Sequence, residues 1–245
     1  MYTNKIKQLL KNYKPYCRGK LIRSNLICQT AKAVNSNNVI SEKIIKFAAQ
    51  MEILHSATLL HDDVLDDEEI RRGTTSFNIT LGNKKSILLG DCMLANVSYE
   101  ISQLENIEIV KNLSLILTCF GKGELENKNY FYKIANKTAF FFAYALDSVI
   151  ILEGIENHEI RASFFEFGKL YGMYFQMVDD YLDYDKDSIS GSLNIVTELG
   201  REKALDLIKI TLTKCFQTLA SIPFDTKKLE QYIIQIDKEL LPIQE

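Results

Sequence analysis

The chain has 245 residues, a net charge of −3, a hydrophobic fraction of 47% and a charged fraction of 25%. This composition is that of a globular protein with a sizeable core, and it argues against a nucleic-acid-binding protein, which needs a basic surface. The five cysteines are scattered and form no CxxC pair, which argues against a disulfide or zinc framework and favours reduced thiols in a cytoplasmic protein.

Neither the N-terminal residues nor the longest apolar stretch has the pattern of a membrane segment. The opening MYTNKIKQLLKNYKPYC contains no continuous apolar run, so we expect no secretory signal. The stretch AFFFAYALDSVIIL carries Asp147 and is too short to span a bilayer. We therefore expect no integral membrane segment.

Proline is absent from residues 16 to 222, which favours long helices because proline breaks helix interiors. From Ser41, a predicted N-cap, apolar residues recur at helical spacing as far as Asp62. Further helices are predicted at about 20–38, 86–105, 127–152, 157–184, 200–220 and 225–240. With no strand alternation, repeat or linker in view, the predicted fold is a single all-α domain over residues 1–245.

An acidic cluster ends the helix that starts at Ser41. In LLHDDVLDDEEIRRG, residues 59 to 73, Asp62 and Asp66 are four residues apart with Asp63 beside them. On a helix these carboxylates project from one side and repel each other. Mg²⁺ would offset that repulsion, since it prefers oxygen ligands and combines one or two carboxylates with phosphate oxygens and water. A solvated acidic helix end is the competing interpretation.

A second copy of the cluster favours the metal. YFQMVDDYLDYDKD carries Asp179, Asp180 and Asp183, again behind an apolar amphipathic stretch. Two such clusters ending two long helices predict carboxylates that face each other across an apolar cavity and hold Mg²⁺ ions around a diphosphate.

A calcium-binding EF-hand loop is the other metal site that these aspartates suggest. Asp183, Asp185 and Asp187 match the first three ligand positions, but Ser188 replaces the required glycine and Asn194 the bidentate glutamate. The EF-hand interpretation therefore fails.

These motifs together resemble the trans-isoprenyl diphosphate synthases, also called polyprenyl synthetases, and in particular the bacterial long-chain polyprenyl diphosphate synthases. The resemblance covers roughly residues 15 to 220. HSATLLHDDVLDDEEIRRG resembles the first aspartate-rich motif DDxxDxxxxRRG, and FQMVDDYLDYDKD resembles the second. RGKLIRS is similar to the family's GGKxxRP, and NKTAFFF to its KTA segment. The resemblance implies an all-α isoprenoid synthase fold, with helices around a central apolar cavity, and a homodimer.

The implied reaction is head-to-tail condensation of isopentenyl diphosphate with an allylic diphosphate, to geranylgeranyl diphosphate or a longer trans-polyprenyl diphosphate. The allylic carbon–oxygen bond ionises, the double bond of isopentenyl diphosphate attacks the carbocation, and a proton is lost to the released pyrophosphate. Clustered Mg²⁺ neutralises the leaving group. By resemblance, Asp62, Asp66 and Asp179 are the direct metal ligands. The carboxylates expected to give water-mediated support are Asp63, Asp180 and Asp183.

Basic and polar residues supply the rest of the implied site. The residues that the resemblance assigns to isopentenyl diphosphate are Lys20, Arg23, His55 and Arg72. Those assigned to the allylic diphosphate or its metals are Arg71, Lys137 and Gln176, with Thr138 beside them; Lys137 and Gln176 are expected to take part in catalysis. Without the resemblance, His55 and Thr138 would be interpreted as ordinary helix residues.

The sequence departs from the family pattern around both diphosphate motifs. Arg18 replaces the first glycine, Leu21 a usual arginine and Ser24 the proline, while Lys20 and Arg23 keep their spacing. The loop after the second cluster lacks the usual GK pair. Lys186, the one lysine between Asp180 and Lys203, is the residue that can replace its charge.

Product length is predicted from the residues one turn before the first cluster. Bulky aromatic residues there stop the product short in the family, whereas this chain has Ala57 and Thr58. We therefore expect products longer than farnesyl diphosphate, with a cavity floor near Leu54 or Met51, or around Tyr99.

Three functions stay open at this point. The first is prenyl elongation, with a short-chain farnesyl or geranylgeranyl synthase as its variant. The second is a non-catalytic regulatory subunit of a heteromeric prenyl synthase, which would be expected to lose one aspartate cluster. The third is a terpene cyclase, which would not need the second diphosphate site.

Overall fold

The computed structural model describes residues 2–17, 19–35, 37, 39–185 and 193–240. Nearly all of these residues are helical, which confirms the predicted all-α class. The helices are α1 (Tyr2–Leu9), α2 (Ile22–Val34), α3 (Glu42–Leu65), α4 (Phe77–Leu81), α5 (Asn83–Ser102), α6 (Ile107–Glu124), α7 (Tyr130–Ile134), α8 (Phe140–Leu152), α9 (His158–Leu182), α10 (Ile195–Leu199), α11 (Arg201–Ala220) and α12 (Lys227–Leu240). A 3₁₀ turn covers Lys11–Tyr13, a π-helical turn covers Ala135–Ala139, and two short strands are β1 (Ile70–Arg71) and β2 (Thr74–Thr75).

The long helices lie where the sequence predicts them, with one omission. Helix α6 has no counterpart among the predicted elements, although Ile109, Leu113 and Ile116 are buried at helical spacing along it. The β1–β2 hairpin corrects the expectation of no strands. Its strands are two residues long, too short for any alternation of apolar and polar residues.

Contacts divide the chain into two compact units. The first comprises Met1–Cys28 and Ile40–Val110, and the second Gln29–Val39 and Lys111–Glu245. The predicted single-domain organisation stays a prediction.

In the first unit, α3 packs against α1, α4 and α5. Its N-cap is Ser41, whose side chain accepts a hydrogen bond from the backbone N–H of Ile44, as predicted. The apolar residues that suggested this helix form part of the core, with Phe47, Met51 and Leu54 at most 2% exposed. This packing fixes the C-terminal end of α3, where the first aspartate cluster lies.

In the second unit, α9 packs against α8, α11 and the π-helical turn. Two glycines of α9 make this approach close. A Cβ at Gly172 would lie 2.6 Å from Cα of Ala139, and a Cβ at Gly168 would lie 2.8 Å from the carbonyl oxygen of Phe142. Because glycine has no side chain, α9 can lie directly against the segment that carries Lys137 and Thr138.

The helical stretch Tyr130–Leu152 is 23 residues long and is continuous through the π-helical turn. Among the described residues, it is the one helix that is long and apolar enough to cross a membrane, by length and composition alone, with a mean hydropathy of 1.3. The expectation that this region is too short to span a bilayer is therefore wrong as to length. Of the most apolar 18-residue segment of this helix, 72% is buried inside the protein, as in the core helix of a globular fold.

Candidate active site

The two aspartate clusters occupy the same place on two long helices. At the end of α3, the backbone N–H of Asp66 donates to the carbonyl oxygen of Asp62 at 2.8 Å. At the end of α9, the N–H of Asp183 donates to the carbonyl oxygen of Asp179 at 3.0 Å. Each cluster thus comprises the last helical turn and the C-cap residue.

This position makes both clusters attractive to cations. The unsatisfied carbonyl groups at a helix C-terminus carry partial negative charge, so carboxylates there add to a negative potential. Asp66, Asp179 and Asp183 are exposed, whereas Asp62 is 4% exposed. Their mutual arrangement across the two units stays a prediction.

An ion pair and a hydrogen bond hold Asp63 in place. Nε of Arg71 lies 2.6 Å from Oδ1 of Asp63, and the amide of Asn78 donates to the backbone carbonyl of Asp63 at 2.9 Å. Burial raises the pKa of the Asp63 carboxyl, although the guanidinium of Arg71 opposes this shift. Arg71, predicted to face the allylic diphosphate, therefore also holds one carboxylate of the first cluster.

The β1–β2 hairpin explains the RRG sequence. Arg72 and Gly73 are the two turn residues, with φ of +52° and +72°, and the strands pair Arg71 with Thr74. Positive φ at both positions is the signature of a type I′ turn, which matches the twist of the flanking strands. The two guanidinium groups have different neighbours: that of Arg71 pairs with Asp63, and that of Arg72 lies against Gly19.

Arg72 packs against the loop that carries Lys20. A Cβ at Gly19 would lie 2.9 Å from Nη1 of Arg72, so glycine is what allows the guanidinium to sit over this backbone. Lys20, the next residue in the sequence, is exposed. The guanidinium of Arg72 therefore lies against the backbone of the residue that precedes Lys20, and their joint role in binding isopentenyl diphosphate stays a prediction.

Glu52 connects α3 to the start of α2. Its Oε1 accepts a 2.8 Å hydrogen bond from the backbone N–H of Ser24, and both residues are buried. The bond satisfies an N–H of the first turn of α2, the turn that contains Arg23. Ser24 stands where the family pattern has proline, which has no N–H. Sequence reasoning missed Glu52, since a single glutamate in an apolar helix carries no signal of its partner.

The residues predicted to set product length lie in the interior of the first unit. Leu54 and Ala57 are fully buried, and Thr58 is 6% exposed. The hydroxyl of Thr58 donates to the backbone carbonyl of His55 at 2.8 Å. Tyr99 is 62% exposed, which does not suit a cavity floor.

In the second unit, three predicted site residues form one hydrogen-bonded chain. The hydroxyl of Thr138 donates to Oε1 of Gln176 at 2.7 Å, and Nε2 of Gln176 donates to Oδ1 of Asp180 at 2.8 Å. The hydroxyl of Tyr130 donates to Oδ2 of Asp180 at 2.7 Å. Tyr130 was not predicted as a site residue.

Lys137 lies in the π-helical turn next to Thr138. Its Nζ is 2.5 Å from Oε1 of Glu124, the last residue of α6, and 6.0 Å from the centre of the Phe120 ring. A Cβ at Gly123 would lie 2.7 Å from the backbone nitrogen of Lys137, so α6 closely supports this turn. π-helical turns inside α-helices are frequent at functional sites.

Four residues discussed from the sequence, Arg18, Lys186, Asp187 and Ser188, lie outside the described residues. The role predicted for Lys186 in diphosphate binding therefore stays a prediction.

Mg²⁺ fits the side chains of the two clusters. Among the described residues, no three His, Cys, Asp or Glu side chains converge closely enough to hold a metal ion by themselves. Mg²⁺ rarely uses such an all-protein cage and is usually bound by one or two carboxylates together with phosphate oxygens and water. The exposed aspartates of each helix end meet that requirement.

The first unit also contains a basic groove that sequence reasoning missed. It has a volume of about 1220 Å³ and runs along α1 and the loop that reaches Leu21. Its lining includes Lys7, Lys11 and Lys14 together with Gly19. Lysines at this spacing do not by themselves indicate a groove, because solvated surface segments have the same pattern.

Comparison with known proteins gives a consistent result. The sequence model of the family described as polyprenyl synthetase matches residues 6–194. The chain is 36% identical over 200 residues to a prenyl transferase of Cyanidium caldarium. It is 32% identical over 210 residues to the chloroplastic solanesyl diphosphate synthase 1 of Arabidopsis thaliana.

These alignments cover 77% and 80% of this chain but only 59% and 49% of the two relatives. The chain therefore spans about half the length of the curated relatives that it matches.

The fold is shared with the geranyltransferase of Helicobacter pylori, solved as a complex with magnesium and isoprenyl diphosphate. The TM-score is 0.78 at 20% identity, and the match covers 98% of this chain and 95% of that one. The predicted fold class is confirmed.

Proposed function

The chain belongs to the polyprenyl synthetase family, and on this premise we propose that it is a Mg²⁺-dependent trans-prenyltransferase. It condenses isopentenyl diphosphate head-to-tail with an allylic diphosphate and releases pyrophosphate. The observation that carries the proposal is the repeated placement of an aspartate cluster at the end of a long helix, on α3 and again on α9. Like charges clustered at a helix C-terminus are unfavourable, and a divalent cation would offset them.

Asp62, Asp66 and Asp179 are the proposed direct ligands, and Asp63, Asp180 and Asp183 support them. Bound Mg²⁺ would neutralise the charge that develops on pyrophosphate as the allylic carbon–oxygen bond breaks.

The allylic diphosphate is proposed to contact Arg71, Lys137 and Gln176. The two cations among these residues are held by protein carboxylates: Arg71 by Asp63 and Lys137 by Glu124. Such pairs fix the orientation of the cation before substrate arrives, so less side-chain freedom is lost on binding. Gln176 is fixed in the same way by Thr138.

Isopentenyl diphosphate is proposed to bind Lys20, Arg23, His55 and Arg72. Arg72 packs over Gly19, the residue before Lys20. This supports the assignment, because a diphosphate needs several cations at one place. The double bond of this substrate attacks the allylic carbocation, and the proton that is then lost goes to pyrophosphate.

We propose products of geranylgeranyl length or longer. The small residues Ala57 and Thr58 support this, and so does the similarity to a solanesyl diphosphate synthase. A homodimer and a cytoplasmic location are further predictions; for the Arabidopsis relative, the location named is the chloroplast.

The test is to incubate the purified chain with Mg²⁺, farnesyl diphosphate and labelled isopentenyl diphosphate. Label in longer prenyl diphosphates is the expected result. Loss of farnesyl diphosphate to a hydrocarbon without incorporation of label would indicate a terpene cyclase. No turnover, at saturating Mg²⁺ with folded protein, would contradict the proposal and leave the regulatory subunit.

A further inference from the structure

Both carboxylate oxygens of Asp180 accept a hydrogen bond from a protein side chain. Oδ2 accepts from the hydroxyl of Tyr130 at 2.7 Å, and Oδ1 accepts from Nε2 of Gln176 at 2.8 Å. Tyr130 is 2% exposed and lies 50 residues before Asp180 in the chain. The orientation of this carboxylate is thus fixed from two sides.

The donor on each side is itself oriented. Thr138 donates to the amide oxygen of Gln176, so the amide NH₂ group is the part that faces Asp180. Tyr130 has a rigid ring whose hydroxyl position is set by packing, and its ring makes an edge-on contact with Phe131, with centroids 5.1 Å apart.

The π-helical turn brings these donors onto one face. Tyr130 and Thr138 are eight residues apart, which would separate them by roughly 80° around an ideal α-helix. A π-helical turn takes up one additional residue, so the two behave as residues seven apart, about 20° from alignment. They can then meet Gln176 and Asp180, which lie one turn apart on α9.

We propose that Tyr130 is a positioning residue that orients Asp180 within the second aspartate cluster; this rests on the proposed function, in which that cluster binds Mg²⁺ and diphosphate. In that role Asp180 supports the neighbouring carboxylates and metal-bound water, with its orientation set by one hydrogen bond to each oxygen. Asp179 and Asp183, both exposed, supply the outward oxygens of the cluster.

A purely structural role for Tyr130 has a different consequence. A buried tyrosine hydroxyl needs some acceptor, and Asp180 could be that acceptor with no effect on the metal. Removing the hydroxyl would then lower stability and leave metal affinity unchanged.

Tyr130→Phe removes only the hydroxyl. We expect Mg²⁺ affinity, measured by calorimetry in the presence of inorganic pyrophosphate, to fall about tenfold, the lower end for loss of an orienting hydrogen bond next to a metal site. The Mg²⁺ concentration at half-maximal activity should rise by the same factor, while kcat at saturating Mg²⁺ changes less. Tyr132→Phe is the matched control, since Tyr132 lies on the same helix and is 44% exposed.

A double-mutant cycle shows whether Tyr130 acts through Asp180. In an Asp180→Asn background, Tyr130→Phe should change Mg²⁺ affinity less than twofold, because the oriented carboxylate is already gone. An equal effect in both backgrounds, or an unchanged Mg²⁺ affinity in Tyr130→Phe with a lowered melting temperature, would overturn the proposal.

Calorimetry keeps this proposal separate from the proposed function. A wild-type chain that binds Mg²⁺ and pyrophosphate but condenses no prenyl substrate would contradict the function alone. A wild-type chain that condenses substrates with Tyr130→Phe at full Mg²⁺ affinity would contradict the role of Tyr130 alone. Wild-type protein without Mg²⁺-dependent pyrophosphate binding would overturn both.

Discussion

The backbone N–H of Ser24 donates a 2.8 Å hydrogen bond to the buried carboxylate of Glu52, 28 residues further along the chain. A proline at position 24, as in the family pattern, could not make this bond. The departure from the pattern therefore has a local function: it ties the first turn of α2 to α3. Arg23, a predicted diphosphate ligand, lies in that turn.

Glu52→Ala should lower the free energy of unfolding by about 1–3 kcal/mol, since it leaves a buried N–H without its acceptor. It should also raise the KM for isopentenyl diphosphate, because Arg23 loses its support. Glu52→Gln should lose less on both measures, as its amide oxygen can still accept the bond. Glu42→Ala, an exposed change on the same helix, should stay within about 0.5 kcal/mol of wild type. If Glu52→Ala and Glu42→Ala have the same free energy of unfolding, the hydrogen bond between Glu52 and Ser24 does not stabilise the protein.

Gly19→Ala should raise the KM for isopentenyl diphosphate several-fold with little loss of stability. The added Cβ would lie 2.9 Å from Nη1 of Arg72, so the flexible arginine would move and the backbone would stay. Gly121→Ala is the control: its Cβ meets nothing within 4 Å, and alanine in a helix should stabilise the protein by up to about 1 kcal/mol. Steady-state kinetics with each substrate varied in turn would give the two KM values, and an unchanged KM in Gly19→Ala would remove Arg72 from this site.

Arg72→Ala and Lys137→Ala should affect different substrates. The first should mainly raise the KM for isopentenyl diphosphate, and the second the KM for the allylic diphosphate. The kcat values are less diagnostic, because losses in the ground state and in the transition state mix there. Equal increases of both KM values in both variants would mean that the two diphosphates are not bound by separate sets of residues.

Ala57→Phe should shorten the product distribution while condensation continues. Ala57 is fully buried one turn before Asp62, so a phenyl ring there would fill space that the growing chain is predicted to use. Overpacking should cost about 1–3 kcal/mol, so thermal melting must show that the variant is folded. Chromatography of the labelled products gives their lengths, and an unchanged distribution from folded protein would rule out a channel at Ala57.

The sequence predicts much of this fold because its helices are long and periodic. The residues that recur at helical spacing along α3 from Ile44 onward are buried, although most of the other residues of this helix are buried as well. The proline-free span accommodates the helices that follow. The hairpin at Ile70–Arg71 and Thr74–Thr75 could not be predicted in this way, since it depends on two turn residues with positive φ.

The site was predictable as motifs and not as contacts. The aspartates and the basic residues stand out because their spacing is unusual. Tyr130 and Glu52 do not, since each is a single residue whose partner lies 50 or 28 positions away. The same holds for the ion pair of Lys137 with Glu124, since a loop and the short helix α7 separate these two residues in the chain.

The central claim is that the second aspartate cluster binds the metal needed for prenyl elongation, and Asp179→Asn tests it most directly. Asp179 is exposed at the end of α9, so the variant should melt at the wild-type temperature. With Mg²⁺, farnesyl diphosphate and labelled isopentenyl diphosphate, its rate of label incorporation should fall by about a thousandfold or more, whereas Asp206→Asn, an exposed change on α11, should keep the wild-type rate. Incorporation at the wild-type rate by folded Asp179→Asn at saturating Mg²⁺ would contradict the account.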